Sequence, residues 1–520
     1  MKKSSTLHAF ASAVVMLLFA TAALSQPLVR IDSGQVAGVA AGDVQTFLGI
    51  PYAAPPLGRL RWRAPQPVHP WRGLLKATHY GHDCAQKLFP GDLAPLRTTP
   101  AENCLVANVW RPKSAAVGSH LPVLVWIYGG GDVNGGSSPA VYSGASFARD
   151  GVIFVSFNYR VGRFGFFAFP ALTQENSDKG LLANYGFMDS IAALRWVRRN
   201  ISAFGGDPQR VTIYGQSAGA GMVKMLLTTP LARGLFARAI IQSGGALPRP
   251  DLQIAERAGV NFARQEGIKG DGTEALDRLR ALRADKLVDG LNMASSAAQA
   301  AIYTGPVRDG RTFPLSLVNA VDLEEEAKVP LIIGSTTADH SNLRTDSLQK
   351  AFGEFGVEAA RARAVYMRGE TGNPQAIIRE IGRDIMYGEP DRHIASGMSA
   401  QGVPVYQYLF GYVARAMRSQ WPAGPPHATD VPYAMKTLQA TTYGSQLTPT
   451  DIGMAKIVHR YWVNFVRTGN PNGPGLPYWP GYTRHDDAIM KFASDGIPRA
   501  VSDPRKARLD VLAAAMRENH

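Results

Sequence analysis

Cysteine is almost missing from this 520-residue chain, which has two, Cys84 and Cys104. That count excludes a small scaffold held by many disulfides. It also excludes a cysteine-rich zinc site: His79 and His82 precede Cys84, but no second ligand pair follows at zinc spacing. A phosphate-cradling glycine loop is absent despite 53 glycines. Nucleotide and metal chemistry are therefore not expected, and no cofactor is assigned. Acidic residues fall short of basic ones, 41 against 55, for a formal charge of +14. Yet the basic residues are scattered (Arg59, Arg61, Arg63, Arg72, Arg198, Arg199, Arg278, Arg280, Arg283), with no nucleic-acid module and no interleaved aromatics. The excess reads as solvated surface, so no nucleic-acid partner is expected, while a preference for anionic substrates stays open.

Apolar runs approaching the ~20 residues that span a bilayer are missing after residue 25. Residues 1–25 differ. Lys2 and Lys3 precede the apolar stretch Ala13–Ala23, and Ala23-Leu24-Ser25 puts small residues at the minus-three and minus-one positions before Gln26. That is the pattern of a cleaved secretory signal. The expectation is an exported protein, periplasmic or extracellular, with no stable membrane span after cleavage. An even pair of cysteines in such a chain predicts one disulfide. Its loop of about twenty residues contributes on the order of 3 kcal/mol in the chain-entropy model.

At 45% hydrophobic content, the rest of the chain can bury a large core. Strand-like runs at Leu121–Tyr128, Val152–Asn158, Val211–Tyr214, Ala237–Gln242, Val329–Gly334 and Val403–Phe410 alternate with helix-like stretches. Several are nearly continuous in apolar residues, as strands buried on both faces of a parallel sheet are. Asp189–Ile201 carries Ile191, Leu194, Val197 and Ile201 at helical spacing. The fold class read from this is α/β, a large mostly parallel sheet flanked by helices. Residues 26–520 are expected to form one domain. Helical insertions near 251–309 and 348–385 are expected to cap the C-terminal edge of the sheet, where a cleft belongs.

Gly215-Gln216-Ser217-Ala218-Gly219 lies between the strand Val211–Tyr214 and a helix opening near Met222–Leu227. A Gly-x-Ser-x-Gly turn in that setting exposes the serine hydroxyl on a strained bend. An ester-cleaving serine also needs a base, an acid to orient it, and donors for the oxyanion. Gly129-Gly130-Gly131 follows the strand Leu121–Tyr128, and a glycine triplet lets N–H groups converge without Cβ obstruction. The remaining donor would be the N–H of Ala218. Asp339 follows the strand Val329–Gly334, and His427 lies in a loop after Val403–Phe410. The order Ser217, Asp339, His427 is that of α/β-hydrolases. His340, beside Asp339, is read as a wall residue.

These residues sit among longer motifs. They include Phe47-Leu48-Gly49-Ile50-Pro51-Tyr52-Ala53, Glu102-Asn103-Cys104-Leu105, Trp126-Ile127-Tyr128-Gly129-Gly130-Gly131 and Asn158-Tyr159-Arg160-Val161-Gly162. Phe204-Gly205-Gly206-Asp207-Pro208, Gln242-Ser243-Gly244 and Thr468-Gly469-Asn470-Pro471-Asn472 follow. Over Val29–Tyr482 the chain resembles the type-B carboxylesterases, the family of bacterial para-nitrobenzyl esterases, cholinesterases and fungal lipases. The resemblance implies an α/β-hydrolase fold and a serine esterase acting on a small-molecule ester. It implies Ser217 as nucleophile, His427 as base and Asp339 as acid, with Gly130, Gly131 and Ala218 as oxyanion hole. It also implies Ser243 as a buried supporting serine and Cys84–Cys104 as the family's first disulfide.

Departures bear on substrate. The acid is usually Glu followed by Gly, but here it is Asp339 followed by His340, with Asp430 the nearby rival. Gln216 stands where Glu usually precedes the nucleophile and is read as a supporting residue behind the elbow. Asp132 follows the glycine triplet, where it would disfavour anionic acyl groups or cap a turn. The Cys84–Cys104 loop has no Trp to face a choline ammonium, which argues against choline esters. Specialised esterases for polyester, phthalate, feruloyl or fumonisin-type polycarboxylate substrates are the near alternative. A non-catalytic esterase-like binding protein is the distant one.

Overall fold

The computed structural model describes residues 26–246, 249–368 and 373–518, so the signal segment 1–25 lies outside the described residues. The strands in chain order are β1 (Leu28–Ile31), β2 (Gly34–Ala37), β3 (Val39–Ala41), β4 (Val44–Pro51), β5 (Leu74–Lys76), β6 (Val106–Pro112) and β7 (Leu121–Ile127). They continue as β8 (Ile153–Phe157), β9 (Gly206–Gln216), β10 (Arg238–Gln242), β11 (Leu331–Thr336), β12 (Val405–Phe410), β13 (Ala488–Phe492) and β14 (Pro498–Ser502). Eleven of them form one sheet in the order β14-β13-β12-β11-β10-β9-β7-β8-β6-β4-β3. Pairing is parallel from β8 through β7, β9, β10, β11 and β12 to β13, and antiparallel at both margins. A separate three-stranded sheet, β1-β2-β5, forms from the N-terminal segment.

All six expected strands are present, and the reason is burial. Every residue of β8, β11 and β12 is buried, as is β7 beyond its first residue. Such strands read as unbroken apolar runs because helices cover both faces. The helix Tyr185–Asn200 turns Phe187, Ile191, Leu194 and Val197 inward, which is the 3.6-residue pattern legible in the sequence. The long helix Pro449–Thr468 is delimited by its own chemistry. Thr448 and Asp451 form a reciprocal capping box at its start, and Gly469 adopts φ 81° at its end, the left-handed closure that glycine takes without strain.

Both insertions line the large cavity described below, but neither is helical throughout. The first contains helices Leu252–Gln265, Thr273–Ala281 and Ala284–Val288. From 289 to 309 it is loop and turn, apart from the short 3-10 turn Ser296–Gln299. The alanine-rich composition there carries no apolar stripe to pack, so helix propensity alone does not prevail. The second holds Leu348–Gly353, Ala359–Tyr366 and Pro374–Arg383. Beyond Arg383 it continues through a π-helical segment, Asp384–Gly388, into Glu389–Ala400. No helix among the described residues is long and apolar enough to cross a membrane. Cys84 and Cys104 form a disulfide.

Candidate active site

Five neighbouring parallel strands, β7, β9, β10, β11 and β12, deliver the site at their C-terminal ends. Gly129–Gly131 follows β7, Ser217 follows β9, Ser243 follows β10, Asp339 follows β11, and His427 lies in the loop after β12. Residues spread from Gly129 to His427 converge because the parallel register brings every one of these ends to the same edge.

Ser217 has φ 57° and ψ −126°, between β9 and the helix Ala218–Thr228. Its N–H donates to Gln242 O at 3.0 Å, which ties the bend to β10. The flanking glycines are steric necessities. A Cβ on Gly215 would lie 2.2 Å from Gly219 O, and one on Gly219 would lie 2.1 Å from Ile127 O. The strained turn is thus held by close backbone packing on both sides.

The loops that carry Asp339 and His427 are pinned to each other by a parallel bridge between Ala338 and Pro426. Asp339 is buried and its Oδ1 accepts a hydrogen bond from His427 Nδ1 at 2.5 Å. A carboxylate only accepts, so Nδ1 carries the proton and Nε2 presents the lone pair. Ser243 Oγ donates to Asp339 Oδ2 at 2.6 Å, and the N–H groups of Thr336 and His340 donate to the same carboxylate. Burial alone would raise the pKa of Asp339. The charge of His427 and this set of donors outweigh it and hold the carboxyl well below the usual range. For His427, burial pushes down, while the charge and hydrogen bond of Asp339, helped by Asp430, push up, and the result lies above the ordinary histidine value. Asp430 does not bond to His427. It accepts from Gln242 Nε2 and Tyr408 OH, and burial, aided by the charge of Asp339, pushes it up to about 6.

The N–H groups of Gly130, Gly131 and Ala218 have no hydrogen-bond partner among the described residues. Gly130 and Gly131 take φ 122° and 62°, conformations that leave those donors free to turn toward a ligand oxygen. Gly131, Ser217 and Ala218 open onto a cavity of about 940 Å³, also lined by Asp132, Arg249, Met293, Tyr303, His340, Arg344 and Tyr387. No metal is needed to explain this arrangement. Asp339, His340 and His427 bring donor atoms within 4.8 Å of one another, but Asp339 and His427 Nδ1 are already engaged with each other.

Two readings change. Gln216 is not behind the elbow: its side-chain Nε2 lies 3.1 Å from His427 Nε2, inside the site. Asp132 is buried with φ 63°, and its Oδ2 faces Arg249 Nη1 at 3.4 Å. Burial raises the pKa of Asp132, and the Arg249 charge that lies against the carboxylate lowers it. His340 is a cavity wall, as expected, with its ring edge-on to His427 at 4.3 Å between centroids and hydrogen-bonded to Tyr387 OH. Sequence reasoning missed Arg249 and Tyr387. Each comes from a segment with no motif, Arg249 just before the first insertion and Tyr387 just after the second, and only folding brings them to the cavity.

A family model described as "Carboxylesterase family" matches residues 25–510. Fumonisin B1 esterase of Sphingopyxis macrogoltabida is 34% identical over 481 residues, covering 89% of this chain and 86% of that protein. Para-nitrobenzyl esterase of Bacillus subtilis (strain 168) is 31% identical, covering 94% and 99%. A solved structure titled PNB esterase superposes with TM-score 0.79 at 28% identity, over 94% of this chain and 99% of that one.

Proposed function

The chain belongs to the carboxylesterase family and is a carboxylic ester hydrolase, and from that premise we propose that it cleaves its ester by two-step acyl transfer through Ser217, His427 and Asp339. The observation that carries this reading is the 2.5 Å bond from His427 Nδ1 to buried Asp339, at the strand edge that also presents Ser217. It fixes the tautomer in which Nε2 can take a proton. In the proposed reaction Ser217 Oγ attacks the ester carbonyl as its proton passes to His427 Nε2. The N–H groups of Gly130, Gly131 and Ala218 receive the oxyanion. His427 then protonates the departing alcohol, and water, deprotonated by the same nitrogen, releases the acid and restores Ser217.

Hydrolysis of para-nitrophenyl esters from acetate to laurate tests the reading. Turnover by the wild type on at least one chain length supports it, and none by folded protein contradicts it. Because the base must be neutral, activity rises with pH as His427 loses its proton. With His427 above the ordinary histidine value, half-maximal kcat/KM on the acidic limb is expected above pH ~6.5. A limb well below that value would show that another group is titrating.

A second reading concerns substrate. Arg249 and Arg344 both line the cavity, Arg249 is paired with Asp132 through one long contact, and Glu354 is the other acid in the wall. A relative is named fumonisin B1 esterase. These observations favour an ester that carries a free carboxylate, held by Arg249. Arg249→Gln is expected to raise KM for such acidic esters roughly tenfold or more, the value of one charge-assisted hydrogen bond. Neutral para-nitrophenyl esters should stay within about threefold of the wild type on that scale. An equal loss on both classes would mean that Arg249 serves only to hold Asp132.

A further inference from the structure

The nucleophile is not the group that holds the base in this structure. No hydrogen bond joins Ser217 Oγ to His427 among the described residues, and the Gln216 side chain stands 3.1 Å from His427 Nε2. Gln216 is 3% exposed, so its amide has little access to water and its orientation is set by protein neighbours. A Cβ placed on Gly129 would lie 3.0 Å from Gln216 Oε1. The amide oxygen therefore faces the start of the glycine triplet while the amide nitrogen faces the imidazole. Since Nδ1–H is committed to Asp339, Nε2 of the neutral ring is an acceptor, and the amide N–H is a donor matched to it.

We propose that Gln216 is a positioning residue for the base. Its carboxamide holds the resting His427 as the neutral Nδ1–H tautomer and yields Nε2 to the Ser217 hydroxyl when substrate enters. The hydrogen bond gives the Nε2 lone pair of the partly buried ring a protein donor. It also stabilises the unprotonated ring alone, because an imidazolium Nε2–H meeting an amide N–H sets two donors against each other. The acidic limb of catalysis is therefore lower than Asp339 by itself would set it. The inference rests on the acyl-transfer reading above and adds the residue that tunes its base.

Other groups also face the ring. Asp339 and Asp430 are the acids acting on it. His340 packs edge-on at 4.3 Å, and the Tyr387 ring lies at 6.3 Å. Of the side chains around His427, Gln216 is the one hydrogen-bonded to Nε2 among the described residues.

The test compares the wild type with Gln216→Met and Gln216→Glu. Two readouts are followed: the acidic limb of kcat/KM on a neutral para-nitrophenyl ester, and the low-field proton resonance of His427 Nδ1–H in the enzyme without substrate. Met keeps the length of the side chain and removes the donor. The limb and the midpoint of the resonance should both move up by about half a pH unit, the effect of one hydrogen bond to the neutral form. Glu restores the residue usual in this family and places a charge at the same distance. It should move both midpoints up by about one unit or more. Gln216→Leu replaces Met if that variant fails to fold. A limb and resonance that stay in place in the Met or Leu variant overturn the proposal, including the case where only the plateau rate falls or only Glu shifts the midpoint. Ester turnover that persists in Ser217→Ala would instead remove the acyl-transfer reading on which the proposal stands.

Discussion

Ser217→Ala loses ester turnover by roughly 10⁴–10⁶-fold, the scale on which removal of a serine nucleophile acts when base and acid remain. The fold should survive. Ser217 Oγ makes no hydrogen bond among the described residues, and the bend is held by Ser217 N–H to Gln242 O and by the close packing of Gly215 and Gly219. Alanine and serine bear the same backbone strain at φ 57°. Thermal unfolding of the variant should therefore match the wild type to within a degree or so, as expected of a substitution that breaks no contact. A variant that unfolds early would say nothing about chemistry. A stable variant that still turns over esters would remove Ser217 from its role.

Asp339→Asn is expected to cost about 10⁴-fold in kcat with little change in binding. The reason is the tautomer. An asparagine amide can present N–H₂ to His427 Nδ1, which turns that nitrogen into the acceptor and moves the proton to Nε2. The base then faces Ser217 with no lone pair to offer. Ser243 Oγ and the Thr336 N–H, which now donate to Oδ2, hold the substituted side chain near its place, while the His340 N–H loses its acceptor at the Oδ1 position. The effect is thus on proton transfer and not on the shape of the cavity. Asp430→Asn makes the contrast. Asp430 bonds to Gln242 and Tyr408 and not to His427, so its loss should be far smaller than that of Asp339. Equal losses in the two variants would leave the identity of the acid open.

The central sheet was legible because burial on both faces writes itself as apolar runs, and β7 to β12 carry that signature. The marginal strands were not. β3, β5 and β14 are largely exposed or half-exposed, and β4 repeats its buried positions every third residue, at Val44, Phe47 and Ile50, so neither the apolar run nor strict alternation marks them. Ser217 and the glycine triplet were legible for a related reason. Strained turns and close backbone approaches need glycine at fixed places, and such needs show in a single sequence. Asp339 and His427 were reached through strand order and resemblance, since one aspartate in a loop has no local signature. Arg249, Tyr387 and the turn of Gln216 toward His427 lay beyond the sequence. Each depends on how a loop or insertion folds over the sheet edge, and the composition of those segments does not specify it.

One measurement bears most directly on the central claim that Ser217 is the residue acylated during turnover. The wild-type enzyme is treated with a fluorophosphonate, its mass is determined intact, and the modified peptide is sequenced. The account predicts a single adduct on Ser217, formed in step with loss of ester hydrolysis and absent from Ser217→Ala. An adduct on Ser243, or an enzyme that stays active while fully labelled elsewhere, would contradict it.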